Sequence, residues 1–168
     1  MIALCCSRVV RNRLGVTSRP SDAPEPTSRL GNWYVHMVRL GPRQYVLATS
    51  ERSLLTVVLP ARELRTTMEG NLRVAVGQLL LALNIPPNIV RSEVGEMQPV
   101  MIAPATNRRV LGSMNELAFH LGVRQDQLSD PVDMAVSLSG IPMSAVGSKS
   151  HYGIPRDVAL DLLVNPRH

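Results

Sequence analysis

The chain has 168 residues, a one-domain length, and 45% of them are apolar, enough to bury a core. Only 3% are aromatic, so that core is aliphatic, and the single lysine, Lys149, leaves almost no room for Schiff-base or P-loop chemistry. The formal charge is +5, but five arginines precede residue 31 with only Asp22 and Glu25 against them. The remainder is close to neutral, so whole-chain basicity overstates any attraction for nucleic acid.

Taken in chain order, Ile2–Cys5 reads as a short strand, followed by a basic turn or helix with Arg8, Arg11 and Arg13. Residues 16–29 hold Pro20, Pro24 and Pro26 among Ser, Thr and charges, which predicts an exposed linker or loop. From Gly31, Trp33, Val35 and Met37 alternate with Tyr34, His36 and Val38, the period of a strand. Gly41-Pro42-Arg43 turns the chain into a second strand, Tyr45–Thr49. After a turn at Ser50–Ser53 comes the nearly unbroken apolar run Leu54–Leu59. Three consecutive strands with short turns make an antiparallel meander.

Leu64, Met68, Leu72, Ala75, Leu79 and Leu83 then form a helical stripe, with Arg65, Glu69 and Arg73 opposite. Gly70-Asn71 offers a break in it, and Pro86-Pro87 closes it. Val100–Ala103 reads as a later, buried strand. Ser113 and Glu116 have the spacing of a capping box, opening a helix that Gly122 ends. Asp130-Pro131 starts another helix, and Pro155 a last one through Leu163, stopped by Asn165-Pro166. The expected class is α+β: a small, mostly antiparallel sheet, the meander plus a later strand, with helices packed on one face. Residues 1–168 read as a single domain in which 123–168 form a helical C-terminal extension.

The adjacent Cys5 and Cys6 cannot build a disulfide framework, which fits a reducing cytoplasm. As a nucleophile either one would need a basic neighbour, and Arg8 is the only hint of it. His36, His120, His151 and His168 are scattered without the spacing of a zinc site, so no metal or cofactor is expected. Apolar stretches such as Leu79–Leu83 fall far short of the roughly 18 residues of a membrane helix. The first residues place apolar groups before arginines, the reverse of a signal peptide. A cytoplasmic protein without membrane partners is expected.

The most informative segment is Thr106–Glu116. Arg108 and Arg109 arrive just before the helix start expected at Ser113, where free N–H groups attract anions, and Asn107 and Asn115 add neutral hydrogen-bonding groups. The planar guanidinium fork suits a carboxylate or phosphate. The structural alternative is a loop whose Asn and Ser cap backbone while the arginines are solvated. Trp33, Tyr34, His36 and His120 are candidates to line a cleft. Trp33 and Tyr34 point to opposite faces, one to the core and the other free for a partner. Glu116 and His120 stand one helical turn apart, the arrangement of an ordinary surface pair. Gly147-Ser148-Lys149-Ser150 lacks the spacing of a phosphate loop.

The strand Gly31-Asn32-Trp33-Tyr34, the arginine-rich hairpin with its Thr49-Ser50-Glu51 turn, and the run from Asn107 to Asn115 together resemble an uncharacterised bacterial family known only as a domain of unknown function. The resemblance covers roughly residues 1–122, most clearly Leu30–Pro60 and Thr106–Phe119. It implies a stand-alone cytosolic bacterial α+β domain and no particular activity. The chain departs from that family at His36, where Asn is usual, and at Arg109, where a small polar residue is usual.

With no recognisable catalytic set, the sequence leans away from an enzyme. It favours a binding or regulatory module that meets an anionic partner, nucleic acid or an acidic protein surface, at the Arg108/Arg109 corner and the basic N-terminal segment. Two alternatives stand beside it. One is an enzyme for a phosphate- or carboxylate-bearing small molecule, with His36 or His120 handling protons. The other is an accessory half of a two-gene, toxin–antitoxin-like system.

Overall fold

A computed structural model describes residues 1–17, 20–64, 68–128, 130–144 and 153–165. Five strands, β1 (Ile2–Cys6), β2 (Trp33–Leu40), β3 (Arg43–Ser50), β4 (Thr56–Pro60) and β5 (Val100–Pro104), form one sheet in the order β4-β3-β2-β1-β5. The meander is there: β2, β3 and β4 pair antiparallel. The first strand lies inside the sheet, parallel to both β2 and β5. A two-residue loop joins β2 to β3, with Gly41 at φ +60° and Pro42 fixing the next φ.

The class is α+β, but the helices cover both faces of the sheet rather than one. Ile2, Leu4, Cys6, Trp33 and Val35 face a core completed by helices α2 (Met68–Ala82) and α3 (Pro87–Glu96). Ala3, Cys5, Tyr34 and Leu47 face a second core under helix α4 (Arg108–Arg124). Helix α5 (Pro131–Ser139) packs along β4 and serves both cores, Ala135 entering the first and Met134 and Leu138 the second. The reason lies in the strands. Ile2–Cys6 is apolar without alternation and every residue of it is buried, as happens only when both sides of a strand are covered.

Two further elements differ from the sequence pattern. Gly70-Asn71 does not break α2, because Met68, Leu72, Val76 and Leu79 on one face are buried together and outweigh the weak propensity of one glycine. Pro86-Pro87 does not itself end α2, which stops at Ala82. Asn84 then turns left-handed at φ +61°, and the Ile85 N–H donates to the Leu80 carbonyl at 3.0 Å. Pro87 instead opens α3, whose first turn needs no N–H from it. The short helix α1 (Arg8–Arg13), capped by Ser7, buries Val10, and the last helix, α6 (Pro155–Val164), packs on α3 through Ala159 and Leu163.

Between α1 and β2, residues 20–27 form no helix or strand and are mostly exposed. The segment then dives inward. The buried Glu93 of α3 accepts from Ser28 Oγ (2.8 Å) and from the N–H groups of Arg29 (3.0 Å) and Leu30 (2.9 Å). Asn32 accepts from the Ala3 N–H at 2.7 Å, fixing the start of β2 beside β1. Gly31 between them has φ +82°, and a Cβ there would come within 2.8 Å of Glu51.

Candidate anion-binding surfaces

Helix α4 starts at Arg108, capped by Asn107, whose Oδ1 accepts from the N–H groups of Arg109 (3.1 Å) and Val110 (3.4 Å). Ser113 is not the cap. It sits about 9 Å along the axis, and its Oγ donates to the Arg109 carbonyl at 2.9 Å. Gly122 lies inside the helix. The buried stripe begins ahead of Ser113: Val110, Met114, Leu117 and Leu121 follow at helical spacing and all belong to the second core. Asn107, Arg108 and Arg109 therefore share the first turn, with both arginines exposed, while Ser113 is buried and Asn115 is exposed further along. Asn107 itself occupies two of the N–H groups an anion would use.

The Asn107 N–H donates to the Tyr34 hydroxyl at 3.3 Å. Tyr34 is buried beside β1, not free for a partner, and burial pushes its hydroxyl above the ordinary 10.0. Trp33 is on the opposite face, fully buried, with no hydrogen bond to Nε1 among the described residues. It cannot line a cleft with Tyr34. His36 follows Tyr34 on the α4 face, about 7 Å along the strand, and burial holds its imidazole below the ordinary 6.5. His120 lies against Phe119, ring edge to face at 5.9 Å, and makes no ion pair with Glu116 among the described residues.

Cys5 and Cys6 point into opposite cores, and burial is the main cause pushing each thiol up to about 12. Gly147–Ser150, His151 and His168 lie outside the described residues. Among the described residues no three metal-ligating side chains cluster, and no helix is long and apolar enough to cross a membrane.

The structure gathers other arginines that sequence spacing left apart. Arg39 and Arg43 flank the β2–β3 turn. The pairing of Tyr45 with Pro60 then brings Arg62, just past β4, alongside them. These three line an open cleft of about 820 Å³ with Gln44 and Tyr45. A neighbouring cleft of about 380 Å³ adds Arg13 and shares Gln44 and Arg62. Neither wall contains a carboxylate, and none of the four arginines has an ion-pair partner among the described residues. Arg39 Nε donates only to the Gly41 carbonyl, at 3.3 Å. A third cleft, about 470 Å³, runs over β4 between α2 and α5, and Arg62 lines it too.

The two arginine surfaces are separate. The start of α4 is tied to Tyr34, and Gly122 near its end packs beside Leu40, so the helix spans β2 from one end to the other. That is about 20 Å between the α4 corner and the hairpin cleft. None of the three clefts includes Asn107, Arg108 or Arg109. The sequence signal for the missed site was the arginine-rich hairpin, since two arginines flanking a tight turn must emerge at one end of a sheet. Arg62 carries no such signal, because only strand register places it.

Compared with known proteins, residues 3–158 match the family model described as Domain of unknown function (DUF6933). No curated protein matches the chain.

Proposed function

We propose that this chain, which belongs to the DUF6933 family, is a binding module without catalysis that holds an anionic partner in the hairpin cleft. The observation that carries this reading is the convergence of Arg39, Arg43 and Arg62 on one acid-free cleft. Exposed like charges held together repel unless an anion joins them, and the guanidinium fork binds carboxylate or phosphate bidentately. Among the described residues the walls hold no His, Cys, Ser, Asp or Glu, and the groups they do offer, guanidinium, amide and phenol, suit binding rather than nucleophilic attack. The corner of Asn107, Arg108 and Arg109 serves as a second, shallower anion contact in this reading.

The test is titration calorimetry with methyl phosphate and acetate at low salt. The expected result is binding that weakens as salt is raised, because exposed charges are screened. The double variant Arg43→Ala/Arg62→Ala is expected to lose about tenfold or more, equivalent to about 1.4 kcal/mol, whereas Arg108→Ala/Arg109→Ala loses less. Absence of salt-sensitive binding by the wild-type chain overturns the reading.

A further inference from the structure

We infer that the ligand is a single-headed anion with an uncharged aliphatic arm, an alkyl phosphate or a fatty carboxylate. The inference rests on the hairpin cleft as the anion site and adds what lies beyond it. The cleft and the groove over β4 are continuous, for Pro60, Arg62 and Pro131 line both. Their volumes, about 820 and 470 Å³, are each of the size that holds a small molecule.

The chemistry changes across Arg62. On the hairpin side all charges are positive. On the other side Leu59, Val74, Ala75 and Val132 line the groove together with the uncharged amides of Asn71 and Gln78, and among the described residues the charges besides Arg62 are the carboxylates of Glu63 and Asp130. Asp130 is held there by its cap on α5, accepting from the Val132 N–H at 2.7 Å. A chain of phosphates running on from the arginines would meet two negative groups, so a nucleic-acid backbone is disfavoured along this path. An uncharged arm meets no such repulsion. Val74 is 59% exposed and lines the groove, so it offers apolar surface that such an arm would cover. An anionic head on Arg39, Arg43 and Arg62 would lay its aliphatic arm over Val74 and Leu59, removing that surface from water.

The experiment titrates the full chain with methyl, butyl, hexyl and octyl phosphate below their micelle concentrations, with octanoate as the carboxylate arm. Affinity is expected to rise two- to fourfold, by order of magnitude, for each added methylene until the groove is filled. Val74→Asp, on an exposed position, is expected to weaken octyl phosphate about tenfold or more, while Arg43→Ala weakens every member of the series alike. Methyl phosphate binding with no gain along the series overturns the arm and leaves the anion cleft standing. A gain that Val74→Asp does not diminish places the arm elsewhere and overturns the inference. Binding of no member overturns both, and an oligonucleotide that binds more tightly than octyl phosphate overturns the single-headed ligand.

Discussion

Glu93 Oε1 accepts a hydrogen bond from Ser28 Oγ at 2.8 Å across 65 residues of chain, and both side chains are buried. With the N–H groups of Arg29 and Leu30 on the same carboxylate, Glu93 pins the entry to β2 onto α3. Glu93→Ala removes the acceptor of three donors, leaving the buried Leu30 N–H without a partner while Ser28 Oγ keeps only the Gly31 carbonyl at 3.2 Å, and a loss of about 2 kcal/mol is expected. Glu93→Gln, which keeps one acceptor oxygen, is expected to lose less. Urea unfolding of the three proteins measures the ordering, and an alanine variant as stable as wild type would show that the clamp does not hold the fold.

At the start of α4 the two residues that compete for the cap are separable. Asn107→Ala is expected to cost about 1 kcal/mol, the usual loss for an N-cap. Ser113→Ala removes only a hydroxyl bonded back to the Arg109 carbonyl inside the helix, and a change within about 0.5 kcal/mol is expected. Thermal or urea unfolding decides, and the opposite ranking would put the helix start at Ser113.

The cysteines provide a chemical test of the sheet. With both thiols buried and raised to about 12, neither is a thiolate at about pH 8, so both are expected to be inert to Ellman's reagent in the native protein. Two equivalents should react after unfolding. Rapid native labelling of Cys5 or Cys6 would contradict the coverage of both faces of β1.

For His36 the sign follows from its burial. Its imidazole takes up a proton less readily in the fold than at the ordinary 6.5 of the unfolded chain. Below that value the unfolded state binds more protons, so stability should fall as pH drops through about 6.5 and level off below the lower folded-state pKa. His36→Gln is expected to flatten this dependence. Urea midpoints measured from about pH 7.5 to about pH 5 give the comparison, and equal slopes in the two proteins would remove His36 as the cause.

Much of this architecture was legible in local patterns. The period-2 alternation from Trp33, the Gly41-Pro42 turn and the Asp130-Pro131 cap each appear where the sequence puts them, while of the stripe read from Leu64 to Leu83 the α-helix spans Met68–Ala82, with Leu64 in a 3-10 turn before it. The strand read at Ile2–Cys5 is β1, but the expectation of helices on one face overlooked that its unbroken apolar run suits a strand covered on both sides. The site was less legible. Asn107, Arg108 and Arg109 do share one helical turn, but as a capped helix start rather than as a loop leading to Ser113.

What the sequence by itself determined is therefore most of the elements, though not α3, because the periods of helix and strand are local properties of the chain. The tertiary structure decided three things that no local pattern contains. It chose Asn107 over Ser113 as the cap, with the buried stripe of the helix already under way at Val110. It joined Ser28 to Glu93, and it brought Arg62 to Arg39 and Arg43 through the pairing of β3 with β4. Charges far apart along a chain become neighbours only through strand register, and a basic composition cannot say which arginines will meet.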